Sequence, residues 1–432
     1  MSMNQQHLPS ETRREFIRSS AAAAIAAPFI LTSSVRGQGS PGETLRIGLI
    51  GCGGRGSGAA AQAMAADRNV ALVAVGDAFP DQLKRALPGL KKANPDKFRV
   101  EPDRCFAGLD AYKKVIESGV DIVILATPPG FRPMHIRAAI DAGKHVFAEK
   151  PLAVDATGVR MVLAAAEEAK KKNLSLVSGF CWRSHYPKRA TFRKVLDGAV
   201  GEIQTVYNTY NTGPVKDPAV RNPDWSPMET QVRNWYQFTW LSGDHIVEQA
   251  VHSLDMMSWA MGDKPPARIV GHGGRQVRST LGNIYDHFAV VYEYENGAKG
   301  FHFSRQIPGC SNDYAVSIAG TKGRCLVDCS RGIHRITGAE SWNYEGVKNE
   351  MYQTEHDEMF AAIRAGKPMN QGSWMAQSTM LAIAGRMAAY TGQTITWEQA
   401  MNSKESLMPV DMRWDAPIEV PPVAMPGKTQ VV

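Results

Sequence analysis

The sequence predicts an α/β chain in two parts: a doubly wound parallel sheet, then an α+β region built on a large, open, mainly antiparallel sheet. Three observations predict it. From residue 45 to about 150, short continuously apolar runs alternate with helical segments, as parallel strands covered on both faces do. The first of these runs, at 46–50, leads straight into Gly51-x-Gly53-x-x-Gly56 and an Ala-rich helix. After residue 200 the strands lengthen, alternate with period two and carry hairpin turn signals at Asn296-Gly297 and Lys322-Gly323.

Each element follows from its residues. In the Gly segment the first glycine makes the tight turn, the second admits a pyrophosphate to the backbone, and the third lets helix pack on strand. Amide groups at the helix start then face phosphate. Gly51, Cys52, Gly53, Gly54, Arg55 and Gly56 form this loop. The next strand, VALVAVGD, ends in Asp77, about 20 residues past the loop, where an acid binds a ribose 2′-hydroxyl. An acid there repels a 2′-phosphate, so the expected cofactor is NAD rather than NADP. Further strands are expected at FRVEPDRCF, VDIVILATP and HVFAEKP, and one more at LSLVSGF after a helix over 155–172. In the second half, strands are expected in EIQTVYNTYNTG, ARIVGHGGRQ, HFAVVYEYENGAKGFHFSRQ, YAVSIAGTKGRCLVDC and HRITGAESWNYEG. Helices at 352–365 and 373–391 stop at Gly366 and Gly392. The expected units are a leader and linker at 1–38, a Rossmann-type dinucleotide domain at 44–180, a substrate domain at 181–410, and a Pro-rich tail at 411–432 lying on the surface or against a neighbouring subunit.

The composition is that of an ordinary globular chain of 432 residues, 44% hydrophobic and 21% charged. The net charge of +7 is scattered, and no basic run interleaves with aromatics, which argues against nucleic-acid binding. Near the N-terminus, Arg13-Arg14 precedes a weakly apolar, Ala-rich stretch. This pattern reads as a twin-arginine (Tat) export signal cleaved between residues 27 and 40, and so as a periplasmic protein. The stretch is about a dozen residues, short of the roughly 20 that a membrane span needs. Six cysteines (52, 105, 181, 310, 325 and 329) match no zinc or redox spacing and are expected as free thiols.

Candidate chemistry falls in three segments. Glu149-Lys150-Pro151 ends the strand HVFAEKP, and ligands of open α/β sheets sit beyond strand carboxyl ends. That places Lys150 beside a bound nicotinamide, where a cation polarises a substrate oxygen or joins its proton transfer. Residues 243–262 read as one helix with Glu248, His252 and Asp255 on a single face. His252 then exchanges a proton, and a carboxylate one turn away orients its imidazole. Convergence of His245, Glu248 and His252 would allow a metal, but HExxH and HxxEH are absent and none is expected. Aromatic faces with polar rims suit a sugar: Trp182, Arg183, His185 and Tyr186 in one segment, Asn234, Trp235, Tyr236 and Trp240 in another, with Arg183 and Tyr236 foremost as substrate ligands. His302 and Arg305, on one strand, are expected to face the same pocket.

Together IGLIGCGGRG, ATPPGFRPMHIRAAIDAGKHVFAEKPLA, the His252-x-x-Asp255 segment and EHDEMFAAIRAGKP resemble the Gfo/Idh/MocA oxidoreductases over roughly residues 44 to 400. The resemblance implies hydride exchange between NAD(P) and a hydroxyl–carbonyl pair of a sugar or cyclitol. It makes Lys150 the lysine on the substrate hydroxyl and His252 the acid/base, and it brings Thr127, Pro128, His135, Glu149 and Lys150 to the cofactor. Family members often carry Asp four residues before this histidine, where this chain has Glu248. They commonly form dimers or tetramers through the open sheet, so a homo-oligomer is expected. Export adds a constraint, because the periplasm offers no exchangeable NAD pool. The cofactor is expected to be tightly bound, serving either coupled sugar oxidation and reduction or, alternatively, redox-neutral glycoside cleavage through transient oxidation. A non-catalytic sugar-binding protein is the reading from another class, which the retained Gly loop, Asp77, Lys150 and His252 disfavour.

Overall fold

The computed structural model describes residues 42–430, save 216–219, 221 and 279–280. The leader with Arg13 and Arg14, and its cleavage region, lie outside the described residues.

The first half runs β1 (Leu45–Ile50), α1 (Gly54–Ala66), β2 (Val70–Asp77), α2 (Pro80–Ala93), β3 (Cys105–Ala107), α3 (Ala111–Glu117), β4 (Ile122–Leu125), α4 (Arg132–Asp141), β5 (His145–Ala148), α5 (Ala156–Lys171) and β6 (Leu176–Ser178). All strand pairs are parallel, in the order β3-β2-β1-β4-β5-β6. Side-chain alternation shows why these strands read as continuous apolar runs. Along β4, Ile122 and Ile124 enter one core with Ala59, Ala60 and Ala63 of α1, while Val123 and Leu125 enter the other with Ile136 and Val159. The expected strand at 98–106 is only an isolated bridge, Leu72 to Phe98, plus the three residues of β3. Pro102 and the 3₁₀ turn it opens break the run.

The second half runs α6 (Tyr186–Leu196), β7 (Ile203–Thr212), α7 (Pro227–Arg233), α8 (Thr239–Ser242), α9 (His245–Glu248), α10 (Val251–Ala260), β8 (Arg268–Gly274), β9 (His287–Glu293), β10 (Lys299–Gln306), β11 (Ala315–Gly320), β12 (Gly323–Asp328), β13 (Ile333–Gly338), β14 (Trp342–Asn343), α11 (Met351–Arg364), α12 (Gly372–Thr391), β15 (Ile395–Thr396) and α13 (Trp397–Asn402). Among the described residues the sheet has nine strands, ordered β14-β13-β12-β11-β7-β10-β9-β8-β15. Its pairs are antiparallel except β7 with β10. The Asn296-Gly297 turn joins β9 to β10, with Gly297 at φ +85°. Helices α10 and α12 cover one face, burying Phe288, Val290 and Tyr292 of β9. The other face, with Tyr207 and Phe303, stays open.

Helix α11 packs Met359, Phe360 and Ile363 into the core of the first half, against α1. The segment 403–430 has no regular secondary structure but is tied down. Leu407 N donates to Asp155, Tyr285 Oη to the Ala424 carbonyl, and Gly427 N to the Thr391 carbonyl. All six cysteines are free thiols.

Candidate active site

The sheet order reverses between β1 and β4, so a crevice opens at their carboxyl ends. Gly51 stands there at φ +93°, and a Cβ on it would lie 2.6 Å from the Ala126 backbone carbon. A Cβ on Gly56 would fall 1.9 Å from the Gly51 carbonyl oxygen, so this position sets how closely α1 meets β1. Nothing lies within 4 Å of a Cβ built on Gly53 or Gly54, and no side chain caps α1. Protein packing therefore does not require glycine at 53 or 54; a phosphate drawing up to uncapped helix amides does. Dinucleotide fits this cradle.

Gly51, Gly53, Asp77, Thr127, Pro128 and His135 line the crevice, together with Phe79, Gln82, Tyr112 and Arg233, which sequence reading missed, and Trp235, which it places on a sugar pocket instead. Asp77 accepts from the amides of Cys52 (2.7 Å) and Phe79 (3.0 Å). Burial nonetheless raises its pKa above the ordinary carboxylate value, with those amides opposing. His135 stacks on Tyr112 at 4.1 Å, and burial, with Arg132 nearby, lowers it to about 3, so it is a neutral wall. The Cys52 thiol is turned inward to the Gly76 carbonyl, which leaves only its backbone to the loop. Arg55 turns sideways: Nε lies 2.9 Å from Glu149 Oε1 and its guanidinium 4.6 Å over the Tyr352 ring. Glu149 is buried under the loop, and burial raises its pKa against the pull of Arg55, Arg132 and Lys150.

Beyond β5, Lys150 Nζ donates to the Glu248 carbonyl (2.6 Å) and to Glu248 Oε1 (3.1 Å). Buried Arg132 donates to the Pro151 carbonyl, one residue past Lys150 and its cis bond to Pro151, and so fixes the backbone next to this lysine. The network continues through Gln249, which donates to Glu248 Oε2 (2.7 Å) and accepts from Tyr210 Oη (3.1 Å). His252 lies against Trp182, ring centroids 5.0 Å apart, with Nδ1 buried and unpartnered. Burial, then Lys150 and Lys188, hold its pKa well below the usual histidine value, so it is neutral and able to accept a proton.

The segment 243–262 is not one helix. Gly243 and Asp244 have positive φ, α9 ends at Glu248, and α10 starts at Val251. Asp244 is locked there by the amides of His245 and Tyr285 and the Tyr390 hydroxyl. The break sends Glu248 to Lys150, and neither Glu248 nor Asp255 hydrogen-bonds His252, contrary to the expected orienting role. Asp255 is instead buried with Arg183 (2.8 Å) and Ser378 (2.7 Å). Arg183 is no free substrate ligand: it also grips Asp263 (2.6 Å) and lies 4.1 Å over the Trp374 ring. Burial works against that charge, but the two carboxylates hold its pKa above the ordinary arginine value. Tyr236 is fully buried, its hydroxyl accepting from Gln306 (2.8 Å), which corrects its expected place on a substrate. His245 turns to Ser304. Trp240 and Asn234 are structural, bonded to Gln231 and to the Val220 and Thr230 carbonyls. His302 pairs with Asn208 in the core, whereas Arg305 reaches the Ser311 carbonyl. Three residues apart on a strand, these two face opposite sides. No metal-holding cluster occurs among the described residues.

A dinucleotide cradle whose far end brings a lysine and a neutral histidine together defines a nicotinamide-dependent oxidoreductase. Comparison with known proteins makes this specific. The "Oxidoreductase family, NAD-binding Rossmann fold" profile matches residues 45–177, and the family's C-terminal alpha/beta domain matches 194–412. The chain belongs to this Gfo/Idh/MocA family and is an NAD-binding oxidoreductase. Among relatives, inositol 2-dehydrogenase of Rhizobium meliloti is 24% identical over 333 residues, covering 75% of this chain and 90% of that protein. The scyllo-inositol 2-dehydrogenase (NAD(+)) of Bacillus subtilis is 23% identical, covering 60% and 72%. The fold matches levoglucosan dehydrogenase in complex with NADH and levoglucosan, at TM-score 0.65, 19% identity and coverage of 82% and 99%. It also matches the aldose-aldose oxidoreductase of Caulobacter crescentus, at TM-score 0.64, 19% identity and coverage of 82% and 100%.

Proposed function

We propose that this protein is an exported, self-contained dehydrogenase that interconverts a CH–OH and a carbonyl on a sugar or cyclitol, with NAD held through the cycle. The observation that carries the reading is the network at the end of β5, where Lys150, Glu248 and neutral His252 converge. Lys150 uses two of an ammonium's three donors on Glu248, leaving one for a substrate oxygen. His252 takes the hydroxyl proton as that oxygen becomes a carbonyl, and returns it in the reverse direction. When bound, the nicotinamide supplies the hydride acceptor. Relatives that act on inositols support a polyol substrate.

Tight retention is supported by a clamp at the outer end of the crevice. Phe79, which lines it, lies under Arg233 at 3.9 Å and beside Trp414 at 5.3 Å. Arg233 is anchored to Asp81 (3.0 Å) and Glu229 (2.8 Å). Export is supported by the twin-arginine pattern at Arg13-Arg14. Homo-oligomerisation through the open sheet face is supported by Tyr207 and Phe303, paired at 5.6 Å with 46% and 38% of their surface exposed.

The test is to purify the exported protein, denature a portion and assay the supernatant for NAD(H) and NADP(H), then follow on the intact protein the reduction of bound NAD by inositols and aldoses and its reoxidation by the carbonyl of a second sugar. Near-stoichiometric NAD with turnover of a polyol is the expected result. Cofactor-free protein that binds NAD weakly would overturn retention. Cleavage of a nitrophenyl glycoside without net NADH change would move the assignment to redox-neutral chemistry.

A further inference from the structure

Lys188, in the first turn of α6, is the cation that the mechanism above leaves unused. It is 4% exposed. Its Nζ lies 3.5 Å from His185 Nδ1 and 5.0 Å from the Trp182 ring centroid, and it contacts the Cys329 thiol. Among the described residues no carboxylate oxygen comes within ion-pair distance of it. The two other cations buried as deeply are compensated: Arg386 pairs with Glu405, and Arg132 faces Glu149 and Glu248. A buried cation without a counter-charge is costly.

The neighbours do not supply that counter-charge. His185 and His334, rings 5.5 Å apart, are each lowered to about 4 by burial and by Lys188 and Lys348, so they stand neutral. His334 Nε2 and His252 Nδ1 are both buried without a partner. Trp182 joins the two sets of groups: Lys188 meets its ring at 5.0 Å, and His252 meets it at 5.0 Å. A cation without a counter-charge and the orphaned His334 Nε2 therefore belong to the same cluster around Trp182 as the acid/base.

We propose that the substrate is an acidic sugar, a uronic or aldonic acid, whose carboxylate is taken by Lys188 with His185 and His334 while its CH–OH lies at Lys150 and His252. One ammonium beside neutral imidazoles suits a singly charged carboxylate better than a dianionic phosphate, for which no arginine fork is present among these groups. The inference rests on the dehydrogenase reading above for its chemistry, but not for its binding.

The experiment pairs each acid with its neutral parent, glucuronate with glucose and galacturonate with galactose. Initial rates, with a fixed excess of a neutral sugar carbonyl as hydride acceptor to reoxidise the bound cofactor, and calorimetric binding are both measured on the NAD-loaded protein. The wild type is expected to favour the acids in kcat/KM, through KM, with a preference that weakens as salt rises. Lys188→Met is expected to cut kcat/KM on the acid about ten- to a hundredfold more than on its neutral parent, and Lys188→Arg to keep part of the preference. A wild type that turns over the neutral sugars as well as the acids, or a Lys188→Met variant that loses both equally, overturns the proposal. If no sugar is oxidised, the dehydrogenase reading fails and binding alone decides. Uronate bound by the wild type at low salt and released at high salt then supports the anion site, and no uronate binding removes it.

Discussion

Two cations, Lys150 just past β5 and Arg183 just past β6, reach the segment around His252, and they are held in opposite ways. Arg183 is bound by two carboxylates, Asp255 and Asp263, and is enclosed between the rings of Trp259 and Trp374. Every contact suits a part that must not move. Lys150 faces one carboxylate, Glu248, through a single ammonium with a donor to spare. Charge balanced twice over marks structure, and charge balanced once beside a neutral base marks chemistry. Spacing in the sequence gives both cations the same standing, and only their partners separate them.

The comparison breaks most sharply at Lys150 and His252. Lys150→Ala or His252→Ala is expected to lower turnover by roughly 10²–10⁴-fold while leaving retained NAD nearly unchanged. A loss below about threefold would remove both residues from the chemistry. Arg183→Met should do the reverse, because it leaves Asp255 buried without its partner. The expected cost is about 3–5 kcal/mol of folding stability, read by chemical denaturation. Folded Arg183→Met protein with full stability and a raised KM would restore Arg183 to the substrate. The clamp is a smaller matter of the same kind. Arg233→Ala removes a cation stacked on Phe79, and NAD release should quicken about fivefold, measured by dilution and nucleotide fluorescence.

How much of this was legible depends on the range of the interactions. The Gly loop and Asp77 are set by local backbone demands, so Gly51 and Gly56 could be read from spacing and their roles follow from steric contact. The Asn296-Gly297 hairpin is local in the same sense. Glu248, His252 and Asp255 have helical spacing, but a helix face requires an unbroken helix. The positive φ of Asp244 is held by Tyr285 and Tyr390, 41 and 146 residues away, which no window over 243–262 contains. The partner of Glu248 is 98 residues distant. Lys188 and Arg132 were overlooked because a lysine or arginine in an amphipathic helix reads as solvated. Their burial, and for Lys188 the missing counter-charge, emerge only from tertiary packing.

The last contrast concerns protons. His252 is neutral chiefly because it is buried, then because Lys150 and Lys188 stand near it. As a base it works above its pKa, so activity is lost as pH falls through that value. Removing a neighbouring cation raises the pKa and moves the acid limb upward. Lys150 cannot be removed without losing turnover, but Lys188→Met leaves the base in place. Its kcat/KM on a neutral polyol should therefore fall off at higher pH than in the wild type. The displacement should be partial, since the burial that chiefly lowers the pKa is untouched. An acid limb that does not move, measured over pH 4 to 8, would mean that Lys188 is screened from His252.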